Sequence, residues 1–189
     1  MDISYTLIVA LMFITILSFG IANLLSSIAE ILNHKKDTRV SMVHLNWIVI
    51  LLIVHFNMAW HAVLIATNES WSYDTFLFSV LGPILAFLTA SIIAPCATAD
   101  KKPATHISNY LDIRQQFFVL FAMIQAWGIG TDYLFHRGAT GSSVFNMLLI
   151  ILAIVMFMTK NYQKHVYGVW VAWGLYITAI ILRSLDIII

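Results

Sequence analysis

Apolar residues run along the chain in six long blocks, at roughly 3–33, 39–67, 74–95, 107–136, 142–160 and 164–188. A helix needs about 20 such residues to cross the hydrocarbon of a bilayer, so each block predicts one transmembrane helix. The connections "HKKDTR", "TNESWSY", "CATADKKPAT", "HRGATG" and "NYQK" are polar and too short to hold a soluble domain. The pattern therefore predicts an all-α integral membrane protein, with six transmembrane helices in a compact bundle. They form a single domain over residues 1–189, with the lipid bilayer as solvent. The first block has no basic residue before it and extends to Leu32, so it reads as a span and not as a cleavable signal.

Polar positions inside the blocks are ordered. Residues 3, 4, 7 or 11 apart share a face of an α-helix. Span two, "HLNWIVILLIVHFNMAWHAV" at 44–63, places His44 and His55 on one face, with Asn46, Asn57 and His61 nearly opposite. Two polar faces predict a helix central to the bundle or shared with a neighbouring subunit. Span four aligns Arg114, Gln125, Asp132 and His136 on one stripe, with Phe118, Phe121 and Gly128 between them. Such a stripe must look into protein or water. Span one carries a shorter version in Gly20, Asn23, Ser27, Glu30 and His34. Matching depths suggest ion pairs between Glu30 and Arg114 near one surface, and between Asp132 and Arg183 near the other. Span three offers a small-residue ridge, Gly82, Ala86 and Ala90, beside a helix-bending Pro83. Span five is plain apart from Asn146, and span six carries Tyr167, Trp170, Trp173 and Tyr176.

Composition agrees with the pattern. The chain is 61% hydrophobic and 10% charged, with mean hydropathy +0.89, whereas soluble domains carry about a quarter charged residues. A net charge of +1 gives no reason to expect nucleic acid as a partner. The single cysteine, Cys96, excludes an internal disulfide. Charge does add orientation. Lys35, Lys36, Arg39, Lys101, Lys102, Arg114, Lys160 and Lys164 fall on one side, against Arg137 and Arg183 on the other. The positive-inside rule then makes loops 1–2, 3–4 and 5–6 cytoplasmic and both termini external, in a plasma (inner) membrane. The "NES" sequon at Asn68 would be external, in a loop too short to give it weight.

For chemistry, the leading expectation is a channel or transporter for an ion or proton, its polar route lined by spans one, two and four. Asn23, Ser27 and Glu30 would form the inner segment, His55 and Gln125 the middle, and Asn57, His61 and Asp132 the outer mouth. A homo-oligomer or a membrane partner subunit would complete it, and no cofactor is required. Every lysine lies at a loop or span edge, which argues against a retinal Schiff base, and no "HExxH" or Ser–His–Asp order occurs, so an enzyme is the less expected reading. The alternative is an electron-transfer subunit binding haem or quinone. His44 would pair with His34, His106 or His165, and His61 with His136. His44, His61 and His136 are also the candidate metal ligands. A third reading is a non-catalytic anchor whose polar stripes only dock neighbours.

Overall fold

The computed structural model describes residues 5–33, 42–65, 72–94, 106–136 and 141–184. Every regular element among them is an α-helix. They are α1 (Tyr5–Asn33), α2 (Met42–Ile65), α3 (Tyr73–Ile93), α4 (His106–His136), α5 (Gly141–Met158) and α6 (Tyr162–Ser184). All six are long and apolar enough to cross a membrane. The chain is thus an all-helical protein suited to a lipid bilayer, with helices close to the spans read from hydropathy. His34, Asn68 and Cys96 lie outside the described residues, as do the side chains of His106 and His136.

Neighbour contacts close a ring. α1 lies against α2 and α3, α3 meets α4, α4 runs along α5, α5 meets α6, and α6 returns to α2. The interior is filled by large side chains from facing helices: Phe13 and Leu17 of α1, Trp47 and Leu51 of α2, Phe117 and Phe121 of α4. Trp47 stands at the centre of an aromatic cluster, edge-on to Phe117, Phe118 and Phe121 at ring-centroid distances of 5.6, 5.2 and 5.6 Å. Tilted and edge-to-face packing of this kind satisfies the ring quadrupoles while excluding solvent. The outer faces of α5 and α6 present Met147, Ile151, Ile154, Ile177 and Ile181, all exposed. A surface so apolar over whole helices belongs in lipid.

α3 shows how sequence sets local geometry. Ser72 caps it, its Oγ accepting from Thr75 N at 3.2 Å, and Asp74 in the first turn complements the helix dipole. Pro83 supplies no N–H for the carbonyl one turn back. At the neighbouring Phe78, the carbonyl accepts from Trp127 Nε1 at 2.7 Å. The Trp127 indole lies directly on Gly82, where a Cβ would overlap the ring. Ala86 and Ala90 continue that small, fully buried face, so the expected ridge is where α3 meets its neighbours.

Gly82→Ala is expected to destabilise the fold by about 1–3 kcal/mol through overpacking. Gly174→Ala, where nothing lies within 4 Å of a new Cβ, should change stability by less than about 1 kcal/mol. Unfolding in mixed micelles, followed by circular dichroism, compares the two.

Candidate functional site

The polar residues singled out from sequence fall into three groups. The first lies at the end of the bundle that carries Lys160 and Lys164, called here the basic end. Tyr110 and Arg114 of α4 share a face by four-residue spacing, and His165 opens α6 opposite them. Tyr110 Oη and His165 Nδ1 are 2.9 Å apart, and His165 Nε2 is 2.9 Å from Thr159 O. A carbonyl only accepts, so Nε2 carries the proton, Nδ1 is the acceptor, and Tyr110 donates. Arg114 Nε donates to the same Thr159 oxygen at 3.1 Å, and its Nη1 donates to Leu111 O. Arg114 is 9% exposed, so one carbonyl at the α5–α6 connection ties both a buried guanidinium and an imidazole. The hydrogen bonds of Arg114 therefore run to backbone oxygens, while Glu30, its expected partner, sits half-buried on α1. Depth along the membrane suggested that pair, but α4 turns this face toward α5 and α6. His44 completes the group, with Nε2 2.6 Å from Ile93 O and its ring 6.0 Å from Tyr110.

The second group lies in the middle, between α1, α2 and α3. His55 is fully buried. Its Nδ1 donates to Leu51 O at 2.8 Å, which leaves Nε2 as a lone pair, and that atom has no hydrogen-bond partner. The ring presses on Gly20 of α1, where a Cβ would collide with Nε2 and Cδ2. Glycine is needed there for space. Toward the basic end the same face of α1 continues with Asn23, which donates to Ser91 Oγ at 3.3 Å. Ser27 follows, buried, its Oγ donating to Asn23 O at 2.8 Å, and then Glu30.

The third group lies toward the opposite end. Asp132, 6% exposed, accepts from Ser142 Oγ at 3.0 Å and from Ser143 Oγ at 2.6 Å. Gln125 donates to Tyr176 Oη at 3.4 Å. Arg183, expected to meet Asp132, donates Nη1 to Asn57 Oδ1 at 2.8 Å instead. His61 is half-buried on α2. Arg114, Gln125 and Asp132 of the α4 stripe are thus satisfied by α5, α6 and their connection, while Gly20 and Asn23 of the α1 stripe address α2 and α3. The route expected along spans one, two and four is divided between two sides of the bundle, with Trp47 and its phenylalanines between α2 and α4.

Span two has the two faces read from its sequence. His44 and His55 point inward, whereas Asn46 accepts from Trp173 Nε1 at 3.0 Å and Asn57 from Arg183, both on α6. Both faces make hydrogen bonds within the same chain.

Haem fits poorly at the basic end. An axial ligand needs a free imidazole nitrogen, and His165 commits both of its nitrogens. Tyr110 fills the space between the two rings, 6.0 Å from one and 5.3 Å from the other. No group of three or more potential metal ligands forms among the described residues. Sequence reasoning had passed over Tyr110, although it lies one turn before Arg114 on the flagged stripe. It also passed over Ser142 and Ser143, which a short connection returns to the level of Asp132. Comparison with protein-family models, with curated proteins and with solved structures finds no match to this chain.

Tyr110→Phe should cost about 1–3 kcal/mol, because it strands a buried acceptor on His165. Combining it with His165→Leu should cost less than the sum of the two single changes, since the stranded atom is then gone. A double-mutant cycle on unfolding in detergent measures the coupling.

Proposed function

We propose that the chain is a proton transporter of the plasma (inner) membrane, with His55 as the mid-membrane proton acceptor. The observation that carries this reading is the His55 Nε2 lone pair: fully buried, midway along α2, and without a hydrogen-bond partner. An ionisable group kept in hydrocarbon at such a cost is a functional candidate by default, and imidazole changes charge near physiological pH. Glu30, Ser27 and Asn23 line the approach from the basic end along one face of α1, ending at Gly20 beside the imidazole. The helix rise puts Glu30 about 15 Å from Gly20 along that approach. Of the outer residues expected from sequence, His61 would serve the opposite mouth, while Asn57, Gln125 and Asp132 are held by Arg183, Tyr176 and the α5 serines on the other side of the bundle.

The packing narrows the cargo. A hydrated cation needs a lumen, and between α2 and α4 the space is taken by Trp47, Phe117, Phe118 and Phe121. A proton needs only hydrogen-bonding groups and transient waters, so it suits this interior where a larger ion does not. The chemistry requires no enzyme and no resident cofactor, and it operates within one chain. A homo-oligomer or partner subunit would then be an assembly of complete units. The cytoplasmic placement of the basic end follows from the positive-inside rule.

Proteoliposomes holding a pH-sensitive dye and clamped at a potassium diffusion potential test the proposal. The wild type should acidify or alkalinise the lumen faster than empty vesicles. His55→Leu should slow that flux by at least about tenfold, a barrier change of about 1.4 kcal/mol. Glu30→Gln should slow it less, as an entry group and not the central acceptor. Flux indistinguishable from empty vesicles, or unchanged by His55→Leu in a folded protein, would leave the polar stripes as docking surfaces and favour the anchor reading.

A further inference from the structure

A second feature stands apart from the His55 side of α2. Toward the non-basic end, α6 contacts both α2 and α5, and a cavity of about 320 Å³ is lined by all three helices. Pockets that take small molecules begin at about this size. Its chemistry changes along its length. Near the helix ends it is lined by Arg183 and Asn57, with Asn146 of α5 and Tyr176 of α6 deeper. The remainder is apolar, with Ile53, Phe145, Leu175 and Leu149 among the lining residues. Leu149 is buried, whereas Phe56, Asn57, Ile180 and Arg183 at the mouth are exposed. From Arg183 to Leu175 the helix rise gives a depth of about 12 Å.

We propose that this cavity binds a single-chain fatty acid, its carboxylate on Arg183 and its hydrocarbon chain lying between α2, α5 and α6. Charge complementarity selects the head group. Arg183 Nη1 donates to a neutral amide oxygen, and no carboxylate pairs with it among the described residues. The rest of the guanidinium fork is left for a planar anion, which a carboxylate matches in bidentate geometry. Asn57 accepts from Arg183 and so fixes the fork at the mouth, while its own amide N–H groups remain donors for the same head. Shape selects the tail. A pocket of this volume takes one chain and excludes a two-chain phospholipid. Its mouth opens on the face that meets lipid, from which a fatty acid enters without crossing water. This site uses no residue of the His55 path, so the two proposals stand or fall separately.

Purified protein in phosphatidylcholine nanodiscs, titrated with the fluorescent fatty acid cis-parinaric acid and competed with oleic acid, provides the test. The wild type should bind saturably, and oleic acid should displace the probe. Arg183→Gln should weaken binding about ten- to a hundredfold, as expected for loss of a charged hydrogen-bonded pair. Arg183→Lys should lose less, keeping charge without the fork. Ile180→Trp, at an exposed mouth position, should block entry while circular dichroism confirms an intact fold. The proposal is overturned if the methyl ester binds as tightly as the acid, if Arg183→Gln or Ile180→Trp binds as the wild type does, or if a phosphate-headed lipid displaces the probe better than oleic acid.

Discussion

Hydrocarbon offers no hydrogen bonds, and the interior of this protein is arranged around that deficit. Each polar side chain taken into the membrane must find its partner on another helix or on its own backbone. The consequence is visible at Thr159, whose carbonyl receives both Arg114 and His165. It recurs at Asp132, which holds two serines of α5, and at the two asparagines of α2, each tied to α6. These bonds are individually modest, about 1 kcal/mol net, but a missing partner costs more than a made bond contributes. They fix which face of each helix turns inward. The aromatic cluster around Trp47 then fills the space they enclose.

Hydropathy alone made the helices legible, because a span of apolar residues has few other uses. The stripes were legible too, since their spacing follows from 3.6 residues per turn. Partner choice was not. A stripe tells where a side chain points on its own helix, and says nothing about which helix stands opposite. Glu30 and Arg114 share a depth, yet α4 packs along α5 and turns Arg114 toward the α5–α6 connection. The same ambiguity put Asp132 with Arg183, although Ser142 and Ser143 were nearer in sequence across a short connection. Only the closing of the ring from α6 back to α2 decides these pairings, and that is a property of six helices together.

Two buried groups among the described residues depart from the rule that organises the rest, the Trp47 indole N–H and His55. Nδ1 of His55 obeys, bonding the carbonyl one turn back, but Nε2 faces Gly20 without a donor. A leucine or methionine would fill this volume without stranding a lone pair, and packing alone would favour it. The glycine opposite is equally specific, since any larger residue collides with the ring. Two positions on different helices are thus fitted to each other around an atom that lowers stability. That combination separates His55 from Gln125 or Asp132, whose partners account for their burial as helix-to-helix bonds.

The two faces of α2 keep unlike chemistries apart. His55 and Asn57 are neighbours in sequence, yet one is sealed against α1 and the other is exposed beside the cavity that α6 and α5 complete. The body of α2 stands between them, with all its backbone groups engaged in the helix. A charge arriving at Arg183 therefore has no hydrogen-bonded connection to the imidazole through α2. Any influence of one side on the other would have to act by moving α2 as a whole. The contacts that resist such movement are the Trp47 cluster on its inner face and the Asn46 and Asn57 bonds to α6 on its outer one. Tight aromatic packing on one side and only two side-chain bonds on the other make α6 the easier neighbour to displace.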